Sequence, residues 1–253
     1  MESGEAILTE STYSRGRTLD FSNCDRWGRA RVSTLLSFLA GVSGEDYDAR
    51  GLPYERLYAL RQTFLLSRVT LHVLRLPRLG EYLRVATWEN GAKGVYLLRD
   101  YELTDAAGAV CVAARSNWIL VNPETRKILR PESFTGKVLG RDQRVPDCPA
   151  CGKVLAPRDG LEDLGARTMV YSNLDRNGHV YSGNYGDFFW DALPQALQER
   201  EPETFSINYH KEARQGETLR LAGARTATGY RMSGEKDDGL CFTADCTWRE
   251  NGE

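Results

Sequence analysis

Asp175, Asn177 and His179 alternate along residues 173–179, Asn-Leu-Asp-Arg-Asn-Gly-His, so a carboxylate, an amide and an imidazole fall within five positions. In a strand this spacing turns all three to one side; in a loop entering a helix it lets them converge on that helix's N-terminus. A carboxylate and an imidazole held together can activate a nucleophile, and an amide or imidazole can donate to an oxyanion as it develops. The plain alternative is capping, because Asp and Asn are preferred just before a helix.

The chain carries its own control for that alternative. Setting 17–29 against 167–179 pairs Arg17 with Arg167, Thr18 with Thr168, Ser22 with Ser172, Asn23 with Asn173, Asp25 with Asp175, Arg26 with Arg176 and Gly28 with Gly178, seven identities in thirteen columns. Trp27 stands opposite Asn177 and Arg29 opposite His179. The aspartate that a cap needs is kept in both copies, whereas the amide and imidazole occur only in the second. A second match, Arg78-Leu-Gly-Glu-Tyr-Leu-Arg-Val85 against Arg214-Gln-Gly-Glu-Thr-Leu-Arg-Leu221, places Glu212 opposite Leu76. A carboxylate again replaces an apolar residue in the second copy. Glu212 is read here as a strand residue pointing toward a core or cleft, where it needs a partner; a surface ion pair with Lys211 or Arg214 is the ordinary alternative. A duplication of two long segments implies two similar modules and one working half.

The elements that must hold these residues follow from periodicity. Residues 31–42 place Val32, Leu35, Leu36 and Leu39 on one helical face, widened by Phe38, so this helix is wrapped by other structure. Strands are expected over Phe64 to Leu74, Glu81 to Thr87, Val95 to Leu103 and Ala109 to Leu120. The second half repeats the plan, with an aromatic-rich helix from Tyr181 to Leu197 and strands at Thr204 to Glu212, Thr218 to Thr228 and Leu240 to Trp248. Residues 1–130 and 166–253 are thus read as modules, and 131–165, with Pro131, Pro146, Pro149 and Pro157, as a linker.

Composition narrows the classes. A chain of 253 residues with 41% hydrophobic and 27% charged residues is globular, and a net charge of -2 leaves no footprint for nucleic acid or an anionic membrane. The longest apolar stretches are too short and interrupted to span a bilayer, and the acidic N-terminus lacks a basic region before an apolar one, so a cytoplasmic protein is expected. Six cysteines are too few for a disulfide scaffold. Cys148-Pro-Ala-Cys151 is half of a zinc site, and with no second pair at matching spacing, reduced linker thiols are the commoner outcome; no metal is expected.

Asp175-x-Asn177-x-His179 before an aromatic-rich helix, Tyr209 to Glu212 downstream, Ala86-Thr-Trp88, Ser116-Asn-Trp-Ile-Leu120 and Asn122-Pro-Glu-Thr-Arg126 together resemble the acyl-ACP thioesterases of plants and bacteria, across nearly the whole chain. The resemblance implies an α+β fold of two tandem hot-dog modules, each an antiparallel sheet around a long helix. It implies hydrolysis of the thioester between a fatty acyl chain and the phosphopantetheine of acyl carrier protein, with no metal or organic cofactor. The catalytic set would be Asp175, Asn177, His179 and Glu212. The plant enzymes carry a cysteine after that glutamate, where this chain has Ala213, so a cysteine nucleophile is excluded at this position. Either Glu212 activates a water or Asp175 attacks directly, with Asn177 and His179 positioning and donating.

In that family the first module houses the acyl chain, which here implicates Val32, Leu36 and Phe38 with Trp27 and Leu76. The carrier protein is acidic, so Arg176, Lys211, Arg214 and Arg220 are docking candidates, or else a solvated basic face. A homodimer is left open. The rival readings are a hot-dog acyl-CoA thioesterase and a non-catalytic acyl binder, the latter disfavoured because a binder has no use for the asymmetry between the copies.

Overall fold

A computed structural model describes residues 4–134 and 144–249. The chain divides into two compact units, Met1–Ala30 with Ser37–Cys151 and Arg31–Leu36 with Gly152–Glu253.

In the first unit the strands are β1 (Ala6–Leu8), β2 (Thr12–Thr18), β3 (Thr63–Val73), β4 (Tyr82–Lys93), β5 (Tyr96–Thr104) and β6 (Val110–Val121), in the order β1-β2-β4-β5-β6-β3 with every pairing antiparallel. In the second unit β7 (Glu162–Thr168), β8 (Pro202–Tyr209), β9 (Thr218–Arg225), β10 (Gly229–Lys236) and β11 (Gly239–Trp248) lie in the order β8-β11-β10-β9-β7, again antiparallel. Matching β2 to β7 and β3 through β6 to β8 through β11 makes the two orders the same, with β1 an additional strand on the edge of the first. The duplication read from short identities therefore extends to topology.

The first unit is built on α1 (Val32–Ala49) from Ser37 onward, the helix's first residues counting with the second unit. Val32, Leu35, Leu36, Leu39 and Val42 are buried at helical spacing, and truncating a leucine among them would cost about 2–5 kcal/mol. The helix runs seven residues beyond the expected end at 42, because its last turns are held by polar contacts that apolar periodicity does not register. Ser43 Oγ donates to Leu39 O at 2.8 Å, and Arg50 Nε donates to Asp46 Oδ1 at 2.7 Å. The sheet closes around it: Ser43 and Tyr101 of β5 share a hydrogen bond of 2.9 Å, and the buried Arg99 guanidinium meets Asp46 at 2.8 Å. Such buried charges are tolerated because each has its partner. A short α2 (Tyr54–Ala59) follows, packing Leu57 with Leu52, Leu120 and Phe134 in a separate cluster.

In the second unit α3 (Asn184–Ala192) buries Tyr185, Phe188 and Phe189. Tyr185 lies 5.1 Å from Phe242 and 5.7 Å from Tyr209 between ring centroids, and Phe189 meets Phe205 edge-on at 5.3 Å. The helix expected over 181–197 is shorter because Pro194 forces Leu193 into extended backbone, ψ 144°. Only the short α4 (Gln195–Gln198) follows. Four strands, β1, β2, β7 and β10, lie outside the expected set; Gly4, Gly16, Gly229 and Gly234 lie in or beside them and blur the alternation.

The stretch read as a linker differs in part from that reading, since β7 begins at Glu162. Among its described residues, Val154 donates its N–H to Asn208 Oδ1 at 2.8 Å and accepts from Thr243 Oγ1 at 2.9 Å, so it is fastened to β8 and β11. Cys148 and Cys151 direct their thiols at the carbonyls of Thr70 and Arg115, at 3.4 and 3.1 Å. Burial pushes the Cys148 thiol up to about 12 and that of Cys151 to about 11, so both stay protonated at neutral pH. Among the described residues no helix is long and apolar enough to cross a membrane.

Candidate active site

The segment 174–180 is a tight loop between the 3-10 turn Tyr171–Asn173 and α3, closed by an antiparallel bridge between Leu174 and Val180. Asp175 makes it. Its N–H donates to His179 O at 2.8 Å, and its Oδ1 accepts the N–H groups of Asn177 at 2.8 Å and His179 at 3.2 Å. Gly178 turns the chain at φ 75°, where a Cβ would cost roughly 1–2 kcal/mol. Asn173 O accepts from Tyr181 N and Asn184 Nδ2, both at 2.9 Å, and Tyr209 donates its hydroxyl to Ser182 O at 3.0 Å. Burial raises the hydroxyl pKa of Tyr209, so it remains a donor.

Glu212 does not lie on a strand: β8 ends at Tyr209, and Glu212 sits in the loop leading to β9. That loop is laid against the first one. Val180 N–H donates to Ala213 O at 2.8 Å, and His179 and Arg214 form an antiparallel bridge. Its far side is clamped as well, since Arg214 N–H donates to Glu217 Oε2 at 2.7 Å and Lys236 Nζ contacts both oxygens of Glu217 at 2.8 and 2.9 Å. The result is a meeting of side chains from two loops. His179 Nε2 stands 3.1 Å from Glu212 Oε2, with the two side chains 22% and 28% exposed: close enough to solvent to meet a substrate, buried enough to be fixed.

The four candidate catalytic residues are thus placed unequally. His179 and Glu212 touch, Asp175 frames their loop through its backbone contacts, and Asn177 is exposed at the loop's tip. Arg214, read from the sequence both as a possible ion-pair partner of Glu212 and as a docking candidate, brings Nη2 within 3.8 Å of Glu212 Oε2 on a side chain 61% exposed; what sequence reasoning missed is its contact with His179 Nε2 at 3.3 Å. The Glu212-x-Arg214 spacing, which can turn both side chains to one side, was the available signal. Of the other docking candidates, Arg220 pairs with Asp237 at 2.9 Å, Lys211 lies against Asp238, and Arg176 is exposed.

The counterpart in the first unit has the same main chain and different chemistry. Asp25 Oδ1 accepts from Trp27 N and Arg29 N, both at 2.9 Å, Asp25 N–H donates to Arg29 O at 2.8 Å, and Gly28 turns at φ 70°. Arg29, opposite His179, donates Nε to Asp25 Oδ2 at 2.8 Å and is almost wholly buried. Leu76, opposite Glu212, is buried. Trp27 is partly exposed, with the guanidinium groups of Arg26 and Arg29 over its ring at 4.2 and 4.4 Å. Val32 and Leu36 are buried in the first turns of α1, and Phe38 is half-buried. Those first turns count with the second unit, where Ser33 donates to Asp187 of α3 at 2.6 Å.

Family models match both halves of the chain. The acyl-ACP thioesterase N-terminal domain covers residues 10–133 and the C-terminal domain residues 165–249. The chain belongs to the acyl-ACP thioesterase family. The oleoyl-acyl carrier protein thioesterase 1 of Arabidopsis thaliana chloroplasts is 22% identical over 212 residues, 75% of this chain and 57% of that protein. A palmitoyl-acyl carrier protein thioesterase of the same plant is 22% identical over 200 residues, 74% of this chain and 46% of that one. The chain therefore spans about half the length of the curated relatives it matches. Among solved structures, an acyl-ACP thioesterase from Bacteroides thetaiotaomicron superposes with a TM-score of 0.85 at 21% identity, over 96% of this chain and 100% of that one. A 12:0-ACP thioesterase from Umbellularia californica gives 0.79 at 16% identity, over 96% and 98%. The fold is the α+β arrangement of hot-dog modules expected from the family. Among the described residues no group of three or more His, Cys, Asp or Glu side chains is placed to hold a metal ion.

Proposed function

We propose that this chain hydrolyses the thioester between a fatty acyl group and the phosphopantetheine arm of acyl carrier protein. The observation that carries the reading is the 3.1 Å contact of His179 with Glu212, made in the copy whose counterpart offers only a neutralised arginine and a leucine. Family membership across both halves supports the substrate class.

Of the two routes, the geometry favours water. Asp175 uses Oδ1 for two backbone N–H groups, the same duty that Asp25 performs in the copy without the histidine. Its role is to hold the loop. Glu212 then takes a proton from a water whose oxygen bonds to the acyl carbon. His179 orients the carboxylate, and Asn177 donates to the oxyanion that forms on the carbonyl. When the intermediate collapses, the C–S bond breaks and the proton passes to the departing thiolate, leaving free fatty acid and the carrier-protein thiol.

The acyl chain is assigned to the apolar residues of the first unit, with Phe38 and Leu76 setting its length and Trp27 lying toward the surface. The acidic carrier protein is assigned to the exposed cations Arg176, Lys211 and Arg220. The test is thiol release from acyl-ACPs and acyl-CoAs of graded length. Rapid release from acyl-ACP supports the reading, preference for acyl-CoA replaces the substrate, and saturable acyl binding without release makes the chain a binder.

A further inference from the structure

We propose that Arg214 is a positioning residue for the His179–Glu212 pair and not a docking cation; the inference rests on the thioesterase reading of this site. His179 Nε2 is within hydrogen-bond distance of two groups, Glu212 Oε2 at 3.1 Å and Arg214 Nη2 at 3.3 Å. One ring nitrogen cannot serve both in the same protonation state. With a proton it donates to the carboxylate; without one it accepts from the guanidinium, which carries donors only. Arg214 therefore supplies the contact that the imidazole loses whenever its Nε2 proton is elsewhere. Its Nη2, 3.8 Å from Glu212 Oε2 on a side chain 61% exposed, adds a weak ion pair that favours the carboxylate beside the ring in both states.

The backbone is arranged to make this placement reproducible. Arg214 is paired with His179 across an antiparallel bridge, so the two side chains leave the backbone as direct neighbours. Its own N–H is held by Glu217, which is fixed in turn by Lys236. The first unit has the same bridge, Arg29 with Arg78, and the same N–H clamp, Arg78 N to Glu81 Oε1 at 3.0 Å. There the position of the carboxylate is taken by Leu76, so an arginine at this register has no acid–imidazole pair to hold. Arg220 and Lys211, by contrast, pair with acids outside the site.

The experiment compares wild type, Arg214→Met and Arg214→Lys on two substrates: acyl-ACP, and the same acyl group on N-acetylcysteamine, which has no carrier protein. A positioning role predicts that Arg214→Met loses about 100-fold in kcat on both substrates, the cost of misplacing a catalytic group by roughly 1 Å, with KM little changed. Arg214→Lys should recover part of kcat, because an ammonium restores the charge and a donor but not the planar fork. A loss confined to KM for acyl-ACP, absent with the small thioester, would return Arg214 to docking and overturn the proposal; so would unchanged kinetics on both. Equal thermal midpoints for the three proteins separate positioning from misfolding. If wild type releases no thiol from either substrate, it is the thioesterase reading that fails.

Discussion

The loops Cys24–Ala30 and Leu174–Val180 make the same main-chain hydrogen bonds, each with an aspartate accepting two N–H groups and a glycine in left-handed backbone, yet they present opposite chemistry. In the first, the imidazole's place is taken by a guanidinium that closes on its own loop's aspartate, and the carboxylate's place by a buried leucine. In the second, histidine and glutamate face each other and part of the surface. The frame is therefore separable from the chemistry it presents: the aspartate and glycine belong to the frame, and on the proposed reading two differences on neighbouring loops decide whether it carries a catalyst. The strongest way to break that statement is to remove the glutamate. Glu212→Ala should lower kcat on acyl-ACP by about 10²- to 10⁴-fold, the range for a lost general base, with the thermal midpoint nearly unchanged because the side chain is partly exposed. A variant that kept half of the turnover would show that the pair is not the catalyst.

Converting the second loop into the first is the next test. In His179→Arg, the introduced guanidinium should turn to Asp175, as Arg29 turns to Asp25. Turnover should fall by about 10²-fold or more while stability holds, because the first loop shows the same backbone accommodating a paired arginine. A crystal structure of the variant with that guanidinium directed at Glu212 instead, or a folded protein with wild-type turnover, would break the equivalence of the loops.

The two aspartates should then differ in opposite senses. Asp25→Ala removes the 2.8 Å carboxylate contact of the buried Arg29 guanidinium and should cost about 3–5 kcal/mol in urea unfolding, whereas Asp175→Ala loses two hydrogen bonds to loop N–H groups, together about 1–3 kcal/mol. Activity should show the reverse order, with Asp175→Ala the worse enzyme. Equal stability losses would mean that the other contacts of Arg29, its place over the Trp27 ring among them, suffice to hold its charge.

Much of this was legible in the residues. Asp175, His179 and Glu212 stand out because the chain provides its own comparison, and α1 because Val32, Leu35, Leu36 and Leu39 are spaced at helical period. What escapes has physical reasons. The last turns of α1 rest on Ser43 and Asp46, polar residues that look like a helix's end until Tyr101 and Arg99 are seen to receive them. β2 and β7 are edge-side strands rich in arginine, glycine and acids, whose alternation is set by pairing with β4 and β9 more than by their own apolar residues. Glu212 reads as a strand residue because Tyr209 and Ile207 precede it in alternation, yet the strand yields to a loop that must reach His179. Arg214 reads as a surface cation or a partner of Glu212, and its side chain is at the surface; its contact with His179 escapes because it depends on the bridge that joins the two loops.

The smallest difference should appear in acid, where the copies ought to behave alike in stability and unlike in activity. Glu81 in one copy and Glu217 in the other both accept the N–H of the arginine that starts their turn. Hydrogen bonds from Arg75 and Lys236 respectively hold each carboxyl below its ordinary value of 4.5. A depressed carboxyl stabilises the fold above its unfolded pKa, and that contribution is lost as pH falls from about 4.5 through the lower folded value. Glu81→Gln and Glu217→Gln should therefore each lower the urea midpoint at pH 7 by an amount equivalent to roughly 0.2–1 kcal/mol, as befits partly exposed pairs, and the deficit should shrink toward zero in acid. Only Glu217→Gln should also lower kcat, by a few-fold, because its turn presents Arg214 to the His179–Glu212 pair. If both variants lowered kcat equally, the turn in the first unit would be serving the reaction too, and the division between a silent frame and a working one would have to be redrawn.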